Sequence, residues 1–508
     1  MRIRFLISAI VVAVLSTSAL AASKAWFGLK PPPALSDPHR PVVDVANVKL
    51  PPAAIPAGEE KFSELRGARI YQDVKAITDF SKHDYAAGNL GWGRITGFPA
   101  AKATIEWHAE QFKKAGLKDV QVQEYDAAAS STMWNATKWE ARLIGDPAYG
   151  AGSGDVVLHS AVPTGGSMIA EGELTAELVD AGATTDAKLP DVNVRGKVAV
   201  QRLHPQAGAF SERTKTVERA QELSKRGAVA VLNVVEQTGN MHVRDFGNCG
   251  APCFNLGGAD GAFVEGAMMH AAKSGAPLKI KLQLTAEKLA GLKGHNAIGI
   301  VPGKSDETII VNAHADGWYD AAGDNGDGSA VLQALARHFA KPENKPERTL
   351  IFVASGGHHS SGLNGPQNLV RMNPGLVAKT VMVLNLEHIA QMYIRSETWT
   401  VDPTEQPMNF GIDNMAPALV ALGKRGVERY GFNLRPEFTT TVAGDLGGYA
   451  PLGVARVQAI HSGPMYHVSG DVLETISVPG LERAARFYAF FVAEAAKLAR
   501  DEINPPKK

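Results

Sequence analysis

Four segments in the C-terminal half of this chain are apolar on both faces of an extended backbone and then turn abruptly polar. They are ETIIVNAHAD at 307–316, RTLIFVASGG at 348–357, LVAKTVMVLNLEH at 376–388 and VARVQAIHS at 454–462. A strand that is apolar on both faces must be covered on both, which calls for a sheet sandwiched between helices. Helical patterns lie where such cover is needed, in GSAVLQALARHFA at 328–340 and LERAARFYAFFVAEAAKLA at 481–499, and NAIGIVPG at 296–303 reads as another strand. The expected class is α/β, with a mixed central sheet flanked by helices. In open α/β sheets ligands bind outside the carboxyl ends of the strands, and here the ionisable residues gather at those ends.

At 508 residues the chain exceeds what one core usually serves. Upstream, residues 100–116 read as an amphipathic helix with Ala103, Trp107, Phe112 and Ala115 on one side and Gly116 as its stop. VQVQEYD at 120–126, KWEARLIG at 138–145 and SGDVVLHS at 153–160 read as strands. From 151 to 290 the texture changes to short strands (GELTAELVDAG, VRGKVAVQRLH, AVAVLNVV) around one crossover helix, VERAQELSKRG, that ends at Gly227. This pattern predicts a small inserted β-rich domain. The expected division is a signal peptide at 1–21, a proline-rich leader at 22–60, a first α/β part at 61–150, the insert at 151–290 and a second α/β part at 291–500.

The start carries Arg2 and Arg4, an apolar run from Phe5 to Leu15 and small residues at Ser18-Ala19-Leu20-Ala21. That is the pattern of a cleaved secretory signal, so the expected location is periplasmic or secreted, with no membrane association after cleavage. In an exported chain the only cysteines, Cys249 and Cys253, are expected to close a tight disulfide loop. Lysine plus arginine equals aspartate plus glutamate, at 52 each. This balance gives no reason to expect nucleic acid as a partner.

Five places put ionisable residues directly after strands or at a helix mouth: His314 with Asp316 in AHAD, Asp324 in AAGDNGDG, His358 and His359 in SGGHH, Glu387 in LNLEH, and His467 in MYHVSGD. Zinc takes imidazole and carboxylate ligands. His314, Asp324, Glu387 and His467 supply two of each, and His359 a fifth. Asp316 is placed to accept the other ring N–H of His314, and Asp471 to do the same for His467, which would orient both rings. DNGDG lacks the alternating spacing and terminal glutamate of a calcium loop.

The order H-x-D, GxxDNGxG before a helix, a short glycine-rich loop, NLE, then YHxxxD resembles the zinc-dependent exopeptidases. That family includes bacterial leucyl aminopeptidases, glutamate carboxypeptidase and the non-enzymatic transferrin receptor. The segment 194–235 resembles the protease-associated domain inserted in several members, and GWGRITGFPAAKATIEWHAEQFKKAGL resembles the start of their catalytic domain. The resemblance implies the phosphorylase/hydrolase-like zinc exopeptidase fold. It also implies two zinc ions, with a one-ion site as the alternative. His314 and Glu387 would hold one ion, Asp324 would bridge, and His467 would help hold the second. The family usually has a Glu-Glu pair where this chain has His358-His359; the alignment puts His358 on the general base and His359 on the ligand.

The implied activity is amide hydrolysis in peptides or small peptide-like substrates, with His358, Asp316 and Tyr466 as candidate catalytic residues. Two alternatives stand beside it: a catalytically impaired pseudopeptidase acting as a binding protein, favoured by the lost glutamates, and a single-zinc acyl-transfer enzyme. The choice between amino- and carboxypeptidase and the oligomeric state are open at this level. Arg395 and Arg435 are loop candidates for a substrate carboxylate, and Trp318-Tyr319 for the pocket wall.

Overall fold

The computed structural model describes residues 24–506 apart from 36, 205–209, 245–247, 361, 396–397 and 399. The signal segment 1–21 lies outside the described residues. A seven-stranded sheet forms from β1 (Lys118–Asp126), β2 (Lys293–Val301), β3 (Ser305–His314), β4 (Arg348–Ser355), β5 (Thr380–Leu386), β6 (Asn409–Ile412) and β7 (Ala455–Ile460), in the order β6-β7-β5-β3-β4-β2-β1. The four inner strands β7, β5, β3 and β4 run parallel; the outer ones join antiparallel. This is the mixed sheet expected from the both-face apolar runs.

Alternation divides each inner strand between two cores. Ile309, Val311, Ala313, Met382 and Leu384 face helices α1 (Gly67–Ala86), α2 (Pro99–Ala115), α3 (Asp327–Phe339) and α4 (Val478–Ala495). Ile310, Ile351, Val353 and Val383 face Leu369, Leu446 and Tyr449 on the other side. Phe487, Tyr488 and Phe491 of α4 are buried against the sheet. In α2 the core face is Ile105, Ala109 and Phe112, Trp107 and Ala115 pack at its margin, and Ala103 lies off the buried stripe. Gly116, at φ 90°, ends that helix in a conformation that favours glycine.

A second sheet of eight strands lies between β1 and β2 in the chain. It includes Met133–Leu143, which the sequence pattern assigns to the first α/β part 61–150. That strand pairs along its length with Lys279–Leu289. The unit also holds a second helix, Gly258–Ser274, besides Phe210–Lys225. Cys249 and Cys253 are both buried, and among the described residues the structure shows no disulfide between them, against expectation. Cys253 opens the buried strand Cys253–Leu256, whose ladder with Ala230–Val235 fixes its side-chain direction, and its sulfur accepts from Asn233 at 3.3 Å. The leader spans both units. Trp26 is buried in the core of the second unit, His39 Nδ1 meets Asp320 at 2.7 Å, and Arg486 of α4 holds Glu59 at 2.9 Å.

Arg94 stitches the entrance to the carboxyl-end loops. Fully buried, it donates to the carbonyls of Ala315, Asp320 and Ala321 and to Ser81 Oγ, at 2.7–3.0 Å. Removing the guanidinium strands those buried acceptors. Arg94→Met is expected to cost about 3–5 kcal/mol in urea unfolding. A loss below about 1 kcal/mol would mean that the carbonyls find other donors.

Candidate active site

The carboxyl ends of the four parallel strands meet at one cleft. β3 ends on His314, β4 is followed by Gly356–His359, β5 by Glu387 and His388, and β7 by the segment carrying His467. Asp324 arrives from the turn before α3. The cleft, of about 510 Å³, is lined by Trp318, His358, His359, Glu387, Tyr466 and His467 among others.

Asp324 is the hub. Its Oδ1 lies 3.3 Å from His314 Nε2, 3.4 Å from His359 Nε2 and 2.9 Å from His388 Nε2; its Oδ2 lies 3.1 Å from His467 Nε2. Burial resists its charge, yet His388, His359 and His314 outweigh that and hold its carboxyl well below the usual range. Glu387 Oε1 stands 3.8 Å from His314 Nε2, and its other oxygen accepts from Asn385 at 2.7 Å. Thus His314, Asp324, His359, Glu387 and His467 are brought together.

Two supporting residues act differently from expectation. The carboxylate of Asp316 lies 3.6 Å from His314 Nδ1, too far for a hydrogen bond. The ring is instead turned to the backbone carbonyl of Asp316 at 3.1 Å. The Asp316 side chain accepts the backbone N–H groups of His358 (3.3 Å) and His359 (3.1 Å), so it shapes that turn. The Asp471 carboxylate is engaged by the loop before α3: it accepts the N–H groups of Gly323 and Asp324 and the Gln391 amide, at 2.7–3.0 Å. Backbone donors in a tight loop reach these carboxylates more directly than the rings do.

His358 has a partner the sequence reading missed. Its Nδ1–H donates to Asp445 Oδ1 at 2.9 Å, while Asn312 and Ser355 donate to Asp445 Oδ2 at 2.8 and 2.9 Å. The ring stacks on His314, with centroids 4.0 Å apart, and its Nε2 lies 3.6 Å from Glu387. Burial and His314 disfavour its charge; Glu387 and Asp445 more than offset them and raise its pKa. Gly444 permits this approach, since a Cβ there would stand 2.8 Å from His358 Cε1.

The second missed residue is His388, whose Nδ1–H donates to the carbonyl of His461 at 2.6 Å. Tyr466 stacks on His467 (centroids 3.4 Å apart) in the cleft wall. Trp318 contacts the rings of His359 and His467, whereas Tyr319 is buried against Trp92. Arg395 pairs with Asp402, and neither it nor Arg435 lines the cleft.

A strip of the second unit grips the His467 segment. Val243 bridges Val468, the Arg244 N–H donates to the His467 carbonyl at 3.0 Å, and the Ser469 N–H to the His242 carbonyl at 3.0 Å. The Arg244 guanidinium lies 5.4 Å above the Trp318 ring.

Residues 296–492 match peptidase family M28, and every converging side chain from His314 to His467 lies within the match. The matched segment is less than half of the chain. The architecture extends beyond it. An M28 peptidase precursor from Shewanella amazonensis SB2B is similar over 87% of this chain and 98% of its own, at 18% identity and TM-score 0.63. A zinc aminopeptidase from Bacillus subtilis is similar over 86% and 98%, at 20% identity and TM-score 0.58. An aminopeptidase from Aneurinibacillus sp. strain AM-1 is similar over 86% and 95%, at 18% identity and TM-score 0.53. At these identities the likeness is one of fold.

The M28 donor set suits zinc. His314 Nε2, His359 Nε2, His388 Nε2 and both Asp324 oxygens are buried without a hydrogen bond. Such atoms are costly unless something satisfies them. Imidazole nitrogens and carboxylate oxygens within 4.8 Å of one another form the nitrogen–oxygen environment of a one- or two-ion zinc site. No described helix is long and apolar enough to cross a membrane.

Proposed function

We propose that the protein is an exported zinc-dependent exopeptidase of aminopeptidase type, acting on peptides or small peptide-like amides. The observation that carries this is the convergence of His314, Asp324, His359, Glu387 and His467 at one rim, with His314 Nε2, His359 Nε2 and both Asp324 oxygens buried without hydrogen bonds. His314 and Glu387 would hold one ion, His359 and His467 a second, with Asp324 between them. When bound, zinc lowers the pKa of water and polarises a carbonyl.

The chain's own groups supply the proton path. Asp445 keeps the proton of His358 on Nδ1, which leaves Nε2 free to take one from water and return it to the leaving amine. The carboxylates Glu387 and Asp445 answer the question raised by the missing glutamate: they favour a charge on this imidazole. Tyr466 is placed on the wall to contact the reacting carbonyl. Among its described lining residues the cleft has no lysine or arginine to receive a substrate carboxylate, which favours recognition of the amino end. The unit built on the eight-stranded sheet is read as a protease-associated insert. The signal pattern of 1–21 supports export.

Purified protein is expected to carry zinc and to hydrolyse aminoacyl p-nitroanilides but not their N-acetylated forms. A chelator should abolish turnover, and added zinc should restore it. Zinc-replete protein that turns over neither series would refute the peptidase reading.

A further inference from the structure

One imidazole beyond the five expected ligands reaches the same centre. We infer that His388 binds metal directly, as a further protein ligand of the ion held by His314 and Glu387. This rests on the zinc reading above and adds a residue to it. The donor atoms of His314, Glu387 and His388 lie within 4.8 Å of one another, and so, separately, do those of Asp324, His359 and His467. The two triads share no residue. Three protein ligands with a position left open is the usual form of a catalytic zinc site; without His388 the first ion would have only His314 and Glu387 besides the Asp324 carboxylate it shares with the second.

The ring is built for the task. Its Nδ1–H is committed to the His461 carbonyl at 2.6 Å, which fixes the tautomer and aims the Nε2 lone pair inward. Nε2 is buried, has no hydrogen bond, and sits 2.9 Å from Asp324 Oδ1 and 3.9 Å from Glu387 Oε1. The backbone holds it there: φ is 53° at His388, and its N–H donates to Asn325 Oδ1 at 3.3 Å. The competing role is a protonated His388 that only ion-pairs with Asp324; Nε2 would then carry hydrogen and make no metal bond. With His388 the centre has four imidazoles to two carboxylates, a donor set that suits zinc or cobalt better than manganese.

An anomalous difference map at the zinc edge, from crystals of the whole protein grown with zinc, tests this without a variant. A peak about 2.0–2.1 Å from His388 Nε2 is expected. Zinc only at Asp324, His359 and His467 would overturn the His388 assignment and leave the zinc reading intact; no zinc at all would overturn both. In solution, competition of the metal-free protein against a chromophoric chelator should show one of two zinc ions bound more than about 10²-fold more weakly in His388→Ala and His388→Gln. A residue that only orients a ligand typically costs 10–100-fold. Affinity equal to wild type in folded variants would overturn the inference.

Discussion

His358→Ala is expected to lower kcat by about 10²–10⁴, the usual cost of losing a placed general base. Zinc content should be unchanged. The expectation follows from the division of labour on the ring: Nδ1–H is tied to Asp445 at 2.9 Å, while Nε2 faces the cleft 3.6 Å from Glu387. His358→Glu, which places a carboxylate at the same point, should recover part of the lost rate. The alternative is visible in the geometry, because His314, His358 and His359 also offer nitrogens within 4.8 Å of one another. Loss of one zinc ion along with activity in the alanine variant would therefore make His358 a ligand and leave proton transfer to another group.

Asp324→Ala is expected to have the larger effect on metal. Four imidazole nitrogens, from both triads, lie within 3.4 Å of this carboxylate. Its removal should abolish paired zinc binding and leave turnover at background. The metal-free protein offers a second readout. His388 is pushed up to about 9: burial works against the charge, but Asp324 and then Glu387 more than compensate. A raised histidine pKa contributes stability that is full below the unfolded value of about 6.5 and is lost as pH rises through about 9. Metal-free wild type should lose stability across that window, and Asp324→Ala should lose less, in urea titrations at stepped pH. Two zinc ions retained by Asp324→Ala would contradict the bridging role.

The inner sheet was legible because Ile309–Val311, Leu350–Ala354 and Val381–Leu384 are apolar at successive positions, which only a strand covered on both faces tolerates. The candidate ligands His314, His359 and Glu387 stood out for the same reason: they lie where those runs stop. What escaped depends on contacts between distant parts of the chain. The pairing of Met133–Leu143 with Lys279–Leu289 joins segments more than a hundred residues apart, and nothing local specifies it. His388 follows Glu387, and strict strand alternation would send the two side chains apart. The left-handed turn at His388 instead brings both into one cleft. Asp445 sits in an irregular glycine-rich loop, where no period marks a residue as facing a site. The Asp316 and Asp471 carboxylates were placed near the centre by sequence, but they accept from backbone N–H groups, and Asp471 also from the Gln391 amide, which sequence spacing does not display.

The bridge from Val243 to Val468, with Arg244 holding the His467 carbonyl, makes the second unit more than an appendage. One wall of the catalytic centre is anchored from a different folding unit, much as a keystone is seated from the adjoining arch. Excising that unit to obtain a minimal enzyme would unseat an imidazole of the second triad while leaving its sequence intact. Exchange of the unit with a relative's should succeed only where the strip from 241 to 244 is transplanted in register.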